Sequence, residues 1–196
     1  MLYWIMHGRT AKLREIYARY EKEAAEFKRQ AACRRGCISC CTVVGNVDIV
    51  TLEGMSIREK ISGLPPVLRK EIREKLAENR SRYEQQMRSD CAFLDGEGAC
   101  MIYDIRPFSC RQLYSLRQCD GSGPTVHRQA VALAREMVRE IQRLDDNGYS
   151  GHLSYILHLV DGDDFRKVYL SGGFEPGRIM KFAKAHGIVT NRFASR

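Results

Sequence analysis

The chain has 196 residues, 44% of them hydrophobic, which suffices for a core and argues against a small scaffold stapled by disulfides. Its eight cysteines therefore need another explanation. The formal charge is +8, of which residues 1–89 carry +7 and residues 90–196 carry +1. Such a basic half suits an acidic protein partner, with nucleic acid the weaker reading. Four thiolates on a divalent ion leave −2, so two such sites would bring +8 to +4, and part of the excess then balances the cysteines.

The apolar start Met1 to Met6 is followed at once by His7, Arg9, Lys12 and Arg14, so neither a secretory signal nor a membrane span is expected. The chain reads as cytoplasmic. In that reducing compartment clustered cysteines mean metal or redox chemistry more often than disulfides. Leu13, Ile16, Tyr17, Tyr20, Ala24, Phe27 and Ala31 recur at three- and four-residue spacing, which predicts an amphipathic helix over 11–32 running into Cys33. Gly36 and Gly45 bracket a cysteine loop, and Val47 to Val50 reads as a short extended stretch. A helix over 51–61, weakened by Gly54, comes next.

After the break at Ser62 to Pro66, Leu68, Ile72, Leu76, Tyr83 and Met87 mark a helix opened by Pro66 and reaching Arg88. Cys91 to Tyr114 reads as irregular. Beyond a second break at Gly121-Ser122-Gly123-Pro124, Thr125 is placed to cap a helix bearing Val126, Ala130, Leu133, Met137, Ile141 and Leu144, which ends at Asp145 to Gly148. Leu153 to Val160 reads as helix, Phe165 to Leu170 as helix or strand, and Pro176 to His186 as a terminal helix stopped by Gly187. Asp161-Gly162-Asp163-Asp164 lacks the spacing of a calcium loop and reads as a turn. The expected fold is mainly α: residues 11–120 form a helical domain with a small β-hairpin and cysteine-rich loops around a metal centre. Residues 121–196 form a helical extension packed on it.

The chemistry lies in the cysteines. Cys33-Arg-Arg-Gly-Cys37-Ile-Ser-Cys40-Cys41 gathers four thiols on one Gly-containing loop, the donor set of a tetrahedral zinc site or an iron–sulfur cluster. Cys40 and Cys41 are adjacent, and neighbouring side chains in extended backbone point to opposite faces, so the two should serve different metals or one should stand aside. In Cys91-Ala-Phe-Leu-Asp95-Gly96-Glu-Gly98-Ala-Cys100, a two-residue Asp95-Gly96 turn would set Leu94 against Glu97 and Cys91 against Cys100. That pairing suits two ligands of one ion, and also a disulfide. Cys110 lies between Arg106 and Arg111, which could donate to sulfur, pair with Asp104 and neutralise a cluster. Cys119 is an eighth ligand or a free thiol.

Cys37-x2-Cys40-Cys41, Cys91-x-Phe93-Leu94, Gly98-x-Cys100-x-Ile102-Tyr103 and Arg106-Pro107-x2-Cys110-Arg111, in that order, resemble the YkgJ-like cysteine-cluster family. The resemblance covers residues 33–114 and implies a CxxCxxCC zinc- or iron-chelating domain, in some members an iron–sulfur protein. That family opens Cys-x2-Cys-x2-Cys-Cys, whereas Cys33 and Cys37 here are separated by three residues, so Cys33 departs from the pattern.

The loop Cys33-x3-Cys37-x2-Cys40 also spells the cysteine motif of radical S-adenosylmethionine enzymes. Three features speak against that reading: the loop follows a charged helix and not a strand, Ser39 stands where an aromatic is usual, and no alternation of strands and helices follows. A cysteine nucleophile would need a base, for which His127 is the nearest candidate. His152 and His158 gain nothing from helical spacing, and no glycine-rich phosphate loop follows a strand. Three readings stay open. The chain is a metal-binding module, with Zn²⁺ ahead of an iron–sulfur cluster; or an iron–sulfur redox protein or enzyme, for which related motifs suggest a link to lysine methylation; or an adaptor for protein or nucleic acid with structural zinc.

Overall fold

A computed structural model describes residues 2–34, 36–44, 47–119, 121 and 123–193. Gly45, Arg35 and Ser122, invoked in the loop readings, and Met1 lie outside the described residues.

Helix α1 (Leu2–Glu23) begins earlier than its apolar stripe and breaks at Ala24 before a single turn, α2 (Ala25–Lys28). The stripe is buried at Leu13, Ile16, Tyr17, Tyr20 and Ala24. Strand β1 (Asp48–Val50) leads into α3 (Thr51–Ser62), and Pro66 opens α4 (Pro66–Glu84). α4 stops short of Arg88 because Gln86 turns into the left-handed region (φ 56°) and the Met87 N–H bonds back to the Arg82 carbonyl at 2.8 Å. Ile72 and Leu76 of its stripe are buried, while Tyr83 and Met87 are exposed.

Within the stretch read as irregular there are a 3₁₀ turn over Tyr103–Ile105 and the short α5 (Phe108–Arg111). Then come α6 (Arg128–Leu144), β2 (Tyr149–His152), α7 (Leu153–Asp161), α8 (Asp163–Leu170), α9 (Pro176–Ala185), β3 (Val189–Thr190) and a 3₁₀ turn over Asn191–Phe193. The cap of α6 is His127, not Thr125: its Nδ1 accepts from the Gln129 N–H at 3.3 Å, and its ring stacks on Phe27 at 4.8 Å. His127 is thus fixed as a cap. Gly187 (φ 65°) closes α9, with the Ile188 N–H returning to the Ala183 carbonyl at 2.9 Å.

The strands form one antiparallel sheet in the order β1-β2-β3, pairing Ile49 with Gly151 and Ser150 with Val189. Thr51 extends the first ladder by side chain: its Oγ1 accepts from the Tyr149 N–H at 2.9 Å and donates to the Tyr149 carbonyl at 3.2 Å. Residues far apart in sequence thus build the sheet, and no local hairpin contributes a strand to it. The one pairing near the second cysteine group is an isolated bridge between Leu94 and Cys100. One apolar cluster lies between α3, α4, α7 and the Ala92–Ile102 segment, and a second between α1, α6 and Phe108. α3 passes between them. Gly54 faces α7 so closely that a Cβ there would stand 3.0 Å from Ile156 Cγ2, which accounts for a glycine inside this helix.

Asp145 fastens the far side. Its Oδ2 accepts from the Leu52 N–H (3.0 Å) and Asn191 Nδ2 (3.1 Å), and its Oδ1 from the Tyr169 hydroxyl (2.5 Å) and Arg9 Nη2 (3.3 Å). Burial pushes its carboxyl up to about 7, against the pull of the Tyr169 and Leu52 hydrogen bonds and the Arg9 charge. A Cβ on Gly148 would lie 2.3 Å from Asp145 Oδ2. Gly148→Ala is therefore expected to lower unfolding stability by roughly 2 kcal/mol, read from urea melts, because the carboxylate cannot move without breaking four bonds.

Candidate metal centre

The first cysteine segment is held from one side by Ser115, which is 1% exposed. Its carbonyl accepts from the Ala32 N–H (2.7 Å), and its own N–H donates to Cys33 Sγ (3.2 Å). Its Oγ accepts from the N–H groups of Thr125 (3.0 Å) and Arg117 (3.4 Å), so the same serine anchors the strap that carries Cys119. Sequence reasoning passed over Ser115, which no motif marks. Gly36 (φ 85°) and the Cys37 N–H bonded to the Arg34 carbonyl (3.0 Å) make the turn before Cys37.

Cys40 and Cys41 do not lie in extended backbone. They open a π-helical turn, Cys40–Val44, entered by N–H bonds from Cys41 (2.8 Å) and Thr42 (3.1 Å) to the Ile38 carbonyl. Successive side chains on a helical turn diverge by roughly 100° or somewhat less, so the two sulfurs are splayed rather than opposed. The Cys91 N–H donates to the Cys41 carbonyl at 2.8 Å, which ties the second cysteine group to the first.

The Asp95-Gly96 turn is wider than the sequence reading had it. Asp95 Oδ1 accepts from the N–H groups of Glu97 (3.0 Å) and Ala99 (2.7 Å), and Gly98 is left-handed (φ 77°). The carboxylate thus organises a five-residue loop in place of a two-residue one. Leu94, not Cys91, stands opposite Cys100, and Glu97 does not face Leu94. Cys91 and Cys100 each pack against the larger apolar cluster.

Cys110 rides on α5, whose position is set by a buried carboxylate. Glu53 Oε1 accepts from the Phe108 N–H (2.7 Å) and the Tyr17 hydroxyl (2.5 Å), and Oε2 accepts from the Val50 N–H (3.0 Å). Glu53 is 4% exposed; burial raises its carboxyl, and these hydrogen bonds pull it back. Ser109 Oγ donates to the Asp48 carbonyl at 2.5 Å. A Glu three residues into a helix, after an apolar strand, is half of a capping box, and that is the signal by which sequence reasoning could have found Glu53.

All eight cysteines are free thiols; Cys33 and Cys37 are exposed and the other six half-buried. Cys40 is pushed up to about 11 by burial, then by the like charges of Cys119, Cys33, Cys41 and Cys37. Cys91 is pushed up to about 12 by burial, with Cys41 and Cys100 adding to it. Cys110 is raised by burial and then by Cys91, Cys41 and Cys100. Cys41 is raised by burial, Cys100 and Cys37, and lowered by Arg106. Cys40 thus lies nearest Cys119, Cys33, Cys41 and Cys37, and Cys110 nearest Cys91, Cys41 and Cys100, with Cys41 facing both groups. As placed, no three His, Cys, Asp or Glu side chains among the described residues converge closely enough to hold one ion.

The arginines behave differently from one another. Arg111 Nε donates to the Arg106 carbonyl (2.9 Å), Nη2 to the Asp104 carbonyl (3.3 Å), and its guanidinium lies 4.6 Å from the centre of the Tyr17 ring. It braces the turn and donates to no sulfur in these contacts. The Asp104 carboxylate pairs with Lys60 at 3.0 Å, not with an arginine. Arg106 covers the Tyr103 ring at 4.5 Å and lowers both Cys41 and Cys100 by its charge. Its Nε is buried without a hydrogen-bond partner.

These features fit a metal-bound thiolate group. Buried thiols resist ionising alone, and a cation at the same place deprotonates them. An orphaned guanidinium N–H beside Cys41 and Cys100 is the donor that sulfur anions accept from. No described helix is long and apolar enough to cross a membrane. No curated protein and no solved structure is detectably similar to the chain. Residues 32–133, more than half of the chain, match the family model described as "CxxCxxCC: Putative zinc- or iron-chelating domain", and the protein belongs to that family.

Proposed function

We propose that the protein binds two metal ions, each through four thiolates: the inner quartet Cys41, Cys91, Cys100 and Cys110, and the outer quartet Cys33, Cys37, Cys40 and Cys119. The observation that carries this reading is the π-helical turn that splays the adjacent Cys40 and Cys41 sulfurs, with the Cys91 N–H bonded to the Cys41 carbonyl at 2.8 Å. Zinc is the metal assigned, since every ligand is a thiolate and a four-sulfur site is complete without water. When bound, zinc supplies charge neutralisation and a crosslink, and no redox chemistry.

The protein's own residues do the rest. Arg106 offsets the charge of Cys41 and Cys100 and offers its Nε to a sulfur, Glu53 fixes the turn that carries Cys110, and Ser115 holds Cys33 by its N–H. The function is that of a metal-binding module acting alone or with a protein partner. Protein purified without oxygen is expected to be colourless, with about two zinc ions per chain by elemental analysis. Native thiols should become reactive only after chelation. A brown preparation containing iron and sulfide, bleached by reduction, would replace zinc with clusters on the same thiols and promote the redox reading. Four disulfides and no metal would end the proposal.

A further inference from the structure

We infer that the cavity between β2, α8 and α9 binds a small alkylated ammonium ion, at a site separate from the cysteines. The cavity has a volume of about 190 Å³, and the residues that line it all follow residue 133, where the family match ends. A void of about 150 Å³ suffices for a benzene ring, so a trimethylammonium group has room here.

The wall is built from aromatic rings. Four-residue spacing sets Phe165 and Tyr169 on one face of α8, and both line the cavity with Tyr149 of β2. The turn after α8 brings Phe174 back to them. Gly172 is left-handed there (φ 76°), and the Gly173 N–H returns to the Val168 carbonyl at 2.9 Å. Asn147 Nδ2 fixes the same turn by donating to the carbonyls of Tyr169 (2.9 Å) and Gly173 (3.2 Å). The Tyr149 ring centre stands 5.9 Å from that of Phe165 and 5.8 Å from that of Phe174, and Phe165 lies 6.3 Å from Tyr169.

The face of an aromatic ring is electron-rich and attracts cations. The chain already uses two of these rings in that way: the Arg9 guanidinium lies 5.5 Å from the centre of Tyr169, and that of Arg192 lies 4.6 Å from the centre of Phe174. On the solvent side the cavity is lined by two carboxylates, Asp164 and Glu175, against one cation, Arg178, which reaches them at 3.7 and 3.3 Å. The balance there is negative. Burial and then the charge of Glu175 raise the Tyr149 hydroxyl, so that charge reaches the inner wall. Rings and carboxylates together favour a cation over an anion. A bare ammonium ion would lose strong hydration on entering, whereas an alkylated one loses less and packs its methyl groups on the rings. The Arg178 side chain is 61% exposed, so the ligand displaces it from the carboxylates at little cost.

The test is titration calorimetry of the full chain, as purified, with choline and with its neutral isostere, in which a tert-butyl group replaces trimethylammonium. Choline is expected to bind at one equivalent and about tenfold or more tightly than the isostere, a comparison that needs no variant to fold. Phe165→Leu keeps apolar bulk but removes a ring, so it should erase most of that preference while the isostere's affinity stays within about twofold. Glu175→Gln should weaken choline and leave the isostere unchanged. Arg178→Ala removes the competing cation and should tighten choline binding by about twofold or more, the opposite of what loss of a merely structural ion pair would do. Equal affinities for choline and the isostere would make this a plain apolar cavity and overturn the inference. Absence of choline binding, or weaker choline binding by Arg178→Ala, would overturn it as well.

Discussion

Cys110→Ser is expected to remove one equivalent of metal and to lower the melting temperature by roughly 10 °C. An ion present at about a thousand times its dissociation constant stabilises the folded chain by about 4 kcal/mol, and for a domain of this size each kcal/mol moves the midpoint by about 2–4 °C. Cys110 matters most because its neighbours, Cys91, Cys41 and Cys100, come from two other stretches of the chain. A shared ion therefore joins the first cysteine loop, the Cys91–Cys100 loop and α5, segments separated in sequence by the helices α3 and α4. Cys119→Ser removes a ligand from the outer quartet, whose members tie fewer core elements, and should cost less than half as much in melting temperature while still losing one equivalent. Differential scanning calorimetry with elemental analysis on the same samples decides it. Equal small shifts for both variants would mean that neither centre belongs to the fold.

Much of this arrangement was legible in the residues. Apolar periodicity placed α3, α4, α6, α7 and α9 within a few residues. By contrast, α1 begins and ends about nine residues before the helix read over 11–32, α5 lies in a stretch read as irregular, and α8 settles a segment read as helix or strand. At Cys40 and Cys41 the expected extended backbone is replaced by a π-helical turn, which splays the two sulfurs where extended backbone would have opposed them. The Asp95-Gly96 turn misled because a side chain outcompeted the backbone. Asp95 takes the Glu97 and Ala99 N–H groups, and the pairing moves from Cys91 to Leu94. β2 and β3 were invisible, since strands of four and two residues carry too few positions for alternation to register, and their partners lie far away in sequence. Thr125 looked like the cap of α6 by residue type, but its N–H is engaged by Ser115, and His127 takes the role.

The polar residues that set the candidate site were the least readable part. Ser115 and Arg106 act through backbone groups or atoms distant in sequence that no spacing reveals, and for Glu53 the capping-box spacing points to the Val50 N–H but not to Phe108 or Tyr17. Arg106 was singled out beside Cys110, yet its charge acts on Cys41 and Cys100. Such pairings arise only when α1, α3 and α5 have packed.

Glu53→Ala is the substitution with the widest expected reach. One carboxylate accepts from the Val50 N–H at the start of α3, the Phe108 N–H at the start of α5 and the Tyr17 hydroxyl on α1. Alanine would leave three buried donors without partners, each costing about 1–3 kcal/mol, so a loss of roughly 4 kcal/mol or more is expected. Tyr17 and Phe108 also stack at 6.0 Å, so α5 loses its register on α1 when the carboxylate goes. Cys110 moves with α5. The variant should therefore bind the inner ion more weakly while the outer quartet, which Glu53 does not touch, still takes one equivalent. Glu53→Gln keeps an acceptor oxygen for the Phe108 N–H but turns an NH₂ toward one of the other two donors, and should fall between the wild type and alanine in both stability and inner-site affinity. The readout that separates positioning from plain destabilisation is metal affinity measured well below each variant's melting temperature. If Glu53→Ala is destabilised but binds two equivalents with wild-type affinity, Glu53 supports the fold alone and does not position Cys110.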